Sequence, residues 1–371
     1  MPEIGLFFSM KYSLAFLLSL LLCGATVAFA RQQDTTRYTD ARELLIIGKA
    51  LPTNPVWVRW DSSQSIPMTP AVKSLARHSA GIAVLFETNS TYLRVKWSVA
   101  QRKFYNNITP IAHSGLDLYA MENGRWQFVN TARPGDRETS FAYPVVSNMD
   151  GATRQYMLYL PIYNELTSLE IGVSPQAMLA KPVKPGIDTT RRIVIYGSSI
   201  LQGASASRAG MTYPSIISRR TSWEMVNLGF SGNGKMEFPV AELLATMPAA
   251  VFVLDCIPNP TPAEIRERAY PFIKHLLDKR PEVPVLLVET SNRETGFFDR
   301  KIGDVVREKN RLIREVYEQL RKEGYKQLHY LRGADLIGHD HEGTIDGTHN
   351  TDIGFMRQAE VILPVLKKLM K

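Results

Sequence analysis

Four short segments of this 371-residue chain carry the residue types of a serine-hydrolase active site, in a fixed order. They are Gly197-Ser198-Ser199, Ser231-Gly232-Asn233, Pro258-Asn259-Pro260 and Asp346-Gly347-Thr348-His349. A serine hydroxyl attacks an ester only when a base removes its proton, and an imidazole oriented by a carboxylate serves as such a base. Because Asp346 stands three residues before His349, these two residues and Ser199 are the predicted catalytic residues.

The sequence also offers donors for the oxyanion that develops during acyl transfer. Gly232 follows an apolar run, and its backbone N–H can approach a substrate without a side chain in the way. Asn259 follows another apolar run, and the prolines on either side restrict its backbone while its amide can donate. We therefore expect an oxyanion hole made by Ser199, Gly232 and Asn259.

Each segment also has an ordinary structural interpretation. Gly197-Ser198-Ser199 can be a turn after a strand, and His349 can be a surface residue that caps a helix. Gly232 can be a loop glycine, and Asn259 can be part of a turn between prolines. The four segments together, each after a predicted strand or before a predicted helix, favour the catalytic interpretation.

The sequence before Lys181 has short alternating patterns. Leu93, Val95 and Trp97 would face one way and Arg94 and Lys96 the other, as in a half-buried strand. Similar runs predict further strands at 56–59, 81–88, 126–128, 156–160 and 168–173. Turn residues separate the runs, so we expect an all-β sandwich over residues 31–180.

After a proline-stiffened linker at 181–190, strands and helices alternate. The predicted strands lie near 192–197, 224–228, 250–255, 284–289 and 327–331. The predicted helices lie near 211–220, 237–246, 262–279, 301–323 and 352–370. This alternation predicts an α/β domain with a parallel sheet over 191–371, and ligands of such sheets bind at the carboxyl ends of the strands. The four segments fall there.

The N-terminus has the pattern of a secretory signal peptide over residues 1–30. Lys11 supplies a positive charge, residues 14–22 are apolar, and Ala28-Phe29-Ala30 is a cleavage site. The apolar run is too short for a stable membrane span. Cys23 resembles a lipoprotein cysteine, but Leu22 occupies the place of the usual small residue, so lipidation is the less favoured alternative. We expect an exported protein, periplasmic or extracellular, whose one remaining cysteine, Cys256, is buried and forms no internal disulfide.

The composition gives little sign of other partners. The net charge is +8, but the basic residues are scattered, which indicates a solvated surface and no nucleic-acid groove. Residues 229–234 are glycine-rich but lack the lysine of a phosphate-binding loop, and His339-Asp340-His341-Glu342 lacks the spacing of a metal site. We expect no cofactor and no metal, and the sequence leaves the oligomeric state open.

Other residues are candidates for substrate contacts. Glu289, Asn292 and Arg293 follow the fourth strand of the α/β half and should face the same cleft. They could bind substrate hydroxyls or only pair with one another. His113 lies in a polar and aromatic stretch, 113–119, that could border the active site or be a strand with an internal turn.

The four segments resemble the four sequence blocks of the SGNH/GDSL hydrolases, over residues 190–371. The resemblance implies that Ser199 is the nucleophile, that Gly232 and Asn259 are oxyanion donors, and that Asp346 and His349 form the closing D-x-x-H. Two departures stand out. Ser198 replaces the usual aspartate before the nucleophile, and Ile257-Pro258-Asn259-Pro260 replaces G-x-N-D. The nucleophile and the amide are retained in both segments.

The order of a β-rich half and a hydrolase half resembles exported bacterial carbohydrate esterases, which carry a jelly-roll-like domain before the SGNH domain. The resemblance implies a flavodoxin-like α/β/α catalytic domain that removes O-acetyl groups from glycans. Two alternatives remain open. One is a lipase-like or thioesterase-like acylhydrolase that uses the same residues, and the other is an inactive glycan-binding protein.

Overall fold

The computed structural model describes residues 35–61, 65–101 and 104–371. Residues Arg37–Lys371 form one compact unit. The predicted signal peptide and Cys23 lie outside the described residues. Within the described part of the chain, no helix combines the length and apolar character that crossing a membrane requires.

The first half consists of short antiparallel strands. They are β1 (Arg37–Asp40), β2 (Leu45–Ile47), β3 (Ala83–Thr88), β4 (Leu93–Val99), β5 (Leu116–Glu122), β6 (Arg125–Ala132), β7 (Ser140–Val146), β8 (Arg154–Tyr159), β9 (Leu166–Val173) and β10 (Leu179–Ala180). One sheet has the order β1-β9-β4-β7, and the other has the order β10-β3-β8-β5-β6 with β2 beside β3. Val95 and Trp97 from the first sheet share one core with Phe86 and Leu118 from the second. The predicted β-sandwich is confirmed.

Two short helices lie between these strands, α1 (Pro70–Ala76) and α2 (Pro110–Ser114). Each begins with a threonine cap and a proline in the first turn, a combination that favours a helix start. The strand predicted at 56–59 is wrong, since these residues form turns. There the N–H of Arg59 donates to the carbonyl of Ala76, and Trp57 is buried in the sandwich core without belonging to a sheet.

The second half alternates strands and helices as predicted. Its strands are β11 (Asp188–Gly197), β12 (Trp223–Gly229), β13 (Val251–Asp255), β14 (Val285–Val288) and β15 (Leu328–Leu331). Its helices are α3 (Ser199–Gln202), α4 (Tyr213–Thr221), α5 (Phe238–Thr246), α6 (Pro262–Lys279), α7 (Arg300–Lys322) and α8 (Asp352–Leu369). The parallel sheet has the order β12-β11-β13-β14-β15, which is the flavodoxin-like order. Helices α4 and α8 cover one face of the sheet, and α5, α6 and α7 cover the other.

The two halves share an apolar core. On β3, Val84 and Phe86 point into the sandwich, whereas Leu85 belongs to the cluster that contains Ile195 of β11 and Ile216 of α4. Because strand side chains alternate, the second antiparallel sheet buries one face in each half. Burying one Leu- or Met-sized side chain contributes about 1.5–3 kcal/mol, so this contact stabilises both halves. The predicted domain boundaries at 180 and 190 stay a prediction.

A buried ion pair also joins the halves. Asp117 on β5 accepts hydrogen bonds from Arg208 at 2.9 Å and from the N–H of Gly210 at 2.7 Å. Burial raises the pKa of the Asp117 carboxyl, and the guanidinium of Arg208 opposes that rise. Arg208 follows the helix that begins with Ser199, so this contact fixes the chain just beyond the candidate nucleophile.

Candidate active site

Ser199 begins helix α3 directly after strand β11, which has a parallel neighbour on each side. The hydroxyl of Ser198 caps this helix by accepting from the N–H of Ile200 at 3.2 Å. The residue that departs from the usual aspartate therefore still has a role at the helix start. The Oγ atom of Ser199 lies 2.9 Å from Nε2 of His349, so these two predicted residues are in direct contact.

His349 and Asp346 lie on the loop before helix α8. Nδ1 of His349 lies 2.7 Å from Oδ2 of Asp346, and Oδ1 accepts from the N–H groups of Thr348 and His349 at 3.1 and 2.8 Å. Burial alone would raise the pKa of Asp346, but the hydrogen bonds and charge of His349 lower it to about 2. The carboxylate is thus ionised at neutral pH and faces the imidazole.

The two further oxyanion candidates lie on the neighbouring loops. Gly232 has φ of +70°, and a Cβ atom at this residue would meet nothing within 4 Å. In the described chain its N–H makes no hydrogen bond. Nδ2 of Asn259 donates one hydrogen to the carbonyl of Phe230 at 3.1 Å, which leaves the second hydrogen available.

The peptide of Phe230 ties three of the four segments together. Its N–H donates to the carbonyl of Gly197 at 2.9 Å, and its carbonyl accepts from Asn233, Gly234 and Asn259. Gly234 has to be glycine for this packing, because a Cβ atom there would lie 2.2 Å from the oxygen of Gly197. The hydrogen bonds around Asn259 therefore exist despite the altered third segment.

Residues from the first half support the same loop, and sequence reasoning missed them. The buried guanidinium of Arg59 donates to the carbonyls of Asn227 and Gly229 at 3.1 and 2.7 Å. Its burial lowers the pKa of Arg59 to about 9. Gln202 accepts from the N–H of Ser231 at 3.1 Å and contacts Nδ1 of His78 at 3.0 Å. In the sequence, Arg59 is distinguished only as a charged residue within the apolar run 56–60.

A second missed residue touches the candidate triad itself. Nδ2 of Asn107, on the loop between β4 and α2, donates to Oδ2 of Asp346 at 3.2 Å. This oxygen is the one that also faces the imidazole of His349. The two residues are 239 positions apart, so no local pattern could have indicated the contact.

The structure separates the three candidates that follow β14. The buried carboxylate of Glu289 accepts from Arg314 at 2.6 Å and from the N–H of Gly333 at 3.0 Å, and also from the hydroxyl of Tyr330, while substrate binding by Glu289 stays a prediction. It therefore supports the fold around β15. Arg293 donates to Thr348 at 2.6 Å and lies 3.4 Å from the carbonyl of Pro258, and burial lowers its pKa.

Arg293 thus bridges the third and fourth segments. Asn292 is exposed and has no hydrogen bond to the rest of the described chain. Substrate binding by Asn292 and Arg293 stays a prediction.

His113 lies inside helix α2, and its contact with substrate stays a prediction. His113 is buried in α2, and its Nδ1 lies 2.7 Å from Oγ of Ser114. Burial lowers the pKa of its imidazole. The ring of Tyr105 packs against His113 on one side and against Tyr163 on the other, and the Tyr163 hydroxyl lies 3.5 Å from the carbonyl oxygen of Ser199. Tyr105 and Tyr163 thus connect the His113 ring to the backbone of Ser199.

The remaining polar clusters have local partners. His339 contacts Asp335 at 2.9 Å, and His341 contacts Glu294 at 2.8 Å. Among the described residues, no three potential metal ligands surround one point. Cys256 is buried as predicted, and burial raises the pKa of its thiol.

The fold and the four loops define an SGNH-type hydrolase, which is an ester hydrolase by class. Residues 190–367 match the GDSL-like lipase/acylhydrolase family. Residues 36–179 match a family described as the N-terminus of SGNH-hydrolase-type esterases and named GxDLY. The stretch Gly115-Leu116-Asp117-Leu118-Tyr119, which contains the buried Asp117, fits that name.

A GDSL-like lipase from Bacteroides ovatus is 44% identical in sequence, with a TM-score of 0.87. The match covers 90% of this chain and 98% of that one. The chain therefore belongs to the GDSL-like lipase/acylhydrolase family, and the predicted resemblance is confirmed.

More distant structures share the fold across both halves. A salicylyl-acyltransferase from a tetracycline biosynthetic pathway is 18% identical, with a TM-score of 0.72 over 91% of this chain and 98% of that chain. A family two carbohydrate esterase from Cellvibrio japonicus is 12% identical, with a TM-score of 0.59 over 90% of this chain and 98% of that chain. At these identities the likeness concerns the fold alone. No curated protein sequence matched the chain.

Proposed function

We propose that this protein is an exported serine esterase that removes O-acetyl and other short acyl groups from carbohydrates. The observation that carries the proposal is the line of contacts from Ser199 through His349 to Asp346. The distances are 2.9 Å from Oγ to Nε2 and 2.7 Å from Nδ1 to Oδ2. The first distance allows Nε2 to take the hydroxyl proton, and the second allows the carboxylate to hold the Nδ1 proton in place.

The first step is attack on the ester carbonyl. With the Nδ1 proton held by Asp346, Nε2 of His349 accepts the hydroxyl proton as Oγ of Ser199 bonds to the acyl carbon. The carboxylate then stabilises the imidazolium that forms. Its low pKa, about 2, keeps Asp346 ionised at neutral pH, so the carboxylate carries the charge that this stabilisation needs.

The oxyanion of the tetrahedral intermediate needs donors that are already in place. The N–H groups of Ser199 and Gly232 and the free amide hydrogen of Asn259 would supply them. The peptide of Phe230 holds the three loops in register, so little reorganisation is needed when the charge develops.

The intermediate collapses when His349 protonates the leaving sugar oxygen and the C–O bond breaks. Ser199 is then acylated. Water attacks the acyl-enzyme while Nε2 takes its proton, and transfer of that proton to Oγ releases the acid and restores the serine. These proposed reaction steps use no cofactor.

Three observations support a carbohydrate substrate. The sequence carries a signal peptide pattern at 1–30, as exported glycan-degrading enzymes do. The fold is shared with family two carbohydrate esterases. Asn292 is exposed beside Arg293, whose guanidinium contacts the triad loop at Thr348, so polar groups are present to receive hydroxyls.

A second candidate function is hydrolysis of esters with longer or aromatic acyl groups. It is favoured by exposed apolar side chains near the triad loop. Phe297 and Phe298 are 55% and 92% exposed, and Ile345 beside Asp346 is 55% exposed. The segment that carries the two phenylalanines is joined to the triad loop by the N–H of Glu294, which donates to Gly347 at 3.0 Å.

Two measurements separate these functions. Rates on 4-nitrophenyl acetate and octanoate show the preferred acyl length, and the proposal predicts the faster rate on acetate. A screen of acetylated polysaccharides for released acetate then tests the carbohydrate substrate. A catalytically inactive glycan-binding protein would release no acetate and would not react with a fluorophosphonate.

A further inference from the structure

The carboxylate of Asp346 accepts four hydrogen bonds, and one comes from the β-sandwich half. The N–H groups of Thr348 and His349 hold Oδ1. Oδ2 faces Nδ1 of His349 at 2.7 Å and also accepts from Nδ2 of Asn107 at 3.2 Å. In the described chain, Asn107 is the one side chain from outside this loop that donates to the carboxylate.

The loop that carries Asn107 is held at both ends, by the catalytic half after Asn107 and by the sandwich half before it. The hydroxyl of Thr109 caps helix α2 and donates to the carbonyl of Ser207 at 2.7 Å, beyond the nucleophile helix. On the other side, the ring of Tyr105 packs edge-on against Tyr163 at 5.3 Å. The amide of Asn107 is therefore held in position before any substrate arrives, and ordering it during the reaction costs little.

Such a donor has two effects on the imidazole. The side chain of Asp346 is 37% exposed, so water competes for Oδ2. A fixed donor on this oxygen sets the rotation of the carboxylate, and with it the direction of the His349 ring. It also withdraws negative charge from the oxygen that faces Nδ1, which lowers the stability of the imidazolium.

We propose that Asn107 is a positioning residue of the active site, which orients Asp346 and tunes its attraction for the His349 imidazolium. The inference rests on the proposed catalytic roles of Asp346 and His349. It makes the β-sandwich half part of the catalytic machinery for every ester, including small ones that never touch the rest of that half.

The test uses the full-length protein and 4-nitrophenyl acetate between pH 5 and pH 9. Asn107→Ala should lower kcat by about tenfold and leave KM within about twofold, since the lost bond to a charged group acts through Asp346. The acidic limb of the kcat/KM profile should move to higher pH, because the unshielded carboxylate stabilises the imidazolium. Asn107→Asp, which has the same shape but adds negative charge, should move the limb further, by roughly half to one pH unit.

The exposed neighbour Asn106 makes no hydrogen bond within the described chain and supplies the matched control. Asn106→Ala should behave as the wild type in both measurements. If Asn107→Ala destabilises the protein, the isosteric Asn107→Asp carries the test on its own.

An acidic limb that stays in place for Asn107→Asp overturns the inference whatever happens to kcat, because the loss of a packing contact alone lowers activity equally at every pH. Ser199→Ala is measured beside these variants. Full turnover by Ser199→Ala would reject the proposed function itself. Loss of turnover in Ser199→Ala with wild-type behaviour of both Asn107 variants would reject only the role of Asn107.

Discussion

The guanidinium of Arg59 donates to the carbonyl oxygen of Gly229 at 2.7 Å, at the point where strand β12 ends and the Gly232 loop begins. The same group lies 5.2 Å from the centre of the Phe230 ring. A residue of the first half thus holds the backbone from which one proposed oxyanion donor extends. Its buried charge faces carbonyl dipoles at the carboxyl end of the strand.

Replacing Arg59 should therefore affect both stability and catalysis. Arg59→Met removes the guanidinium hydrogen bonds to the carbonyls of Asn227, Gly229, His78 and Leu75. We expect a loss of about 2–4 kcal/mol in the free energy of unfolding, measured with urea, and a fall in kcat on 4-nitrophenyl acetate. Arg125→Met, at an exposed arginine, is the control and should change neither quantity.

Asn259 tests the oxyanion hole. Loss of one such donor costs about 10²–10³ in kcat, or ~2.7–4 kcal/mol, so Asn259→Ala should lower kcat far more than it raises KM. Steady-state kinetics on a small acetate ester give both constants. A change confined to KM would instead make Asn259 a residue that binds the substrate in its ground state.

Much of the catalytic half could be predicted because its signals are local. The strands β11 to β15 are apolar runs, and the helices between them show their own period and caps. Ser199, Asp346 and His349 stand at the ends of such elements, so topology alone brings them to one edge of the sheet. Their close approach follows from the fold.

The supports of the site could not be predicted, since they depend on packing between distant segments. Asn107 meets Asp346 across 239 positions, and Arg59 meets Gly229 across 170. Residues 56–59 alternate in side-chain polarity as a strand does. A turn whose tryptophan, here Trp57, is buried in a core can have the same pattern, so the alternation alone could not distinguish the two. The burial of Glu289 and His113, and the partners that each has in the fold, could not be predicted either, since both depend on packing.

The shared core predicts the outcome of separating the halves. Leu85, Tyr119, Met157 and Tyr159 pack in the same cluster as Ile195 and Ile216. A fragment that begins at Lys184 lacks the first four of these residues and would expose Ile195 and Ile216 to water. It should therefore aggregate or lose activity on both 4-nitrophenyl acetate and acetylated polysaccharide. A soluble and fully active fragment would show that the first half neither stabilises the catalytic half nor supports its active site.

Asp255 gives the protein a pH-dependent stability. Burial raises its pKa to about 7, although Tyr213 and Gln358 donate hydrogen bonds to it. An unfolded aspartate titrates near pH 3.9, so between about pH 4 and pH 7 the folded protein binds more protons than the unfolded chain. The free energy of unfolding should therefore fall as pH rises through this window, by about 1–4 kcal/mol from this residue.

Asp255→Asn removes the titration and is the comparison. Urea unfolding at pH 5 and pH 8 should show a smaller difference for the variant than for the wild type. If the free energy of unfolding changed equally between pH 5 and pH 8 in the two proteins, Asp255 would be ionised in the folded state over this whole pH range.

Every proposed step of the reaction depends on Ser199 as the nucleophile. A fluorophosphonate with a reporter group should label the wild-type protein at one serine, identified as Ser199 by peptide mass spectrometry. Ser199→Ala should remain folded, take no label and lose ester turnover by several orders of magnitude, while Ser198→Ala should still be labelled. Wild-type turnover by Ser199→Ala, or labelling at another serine, would contradict the account.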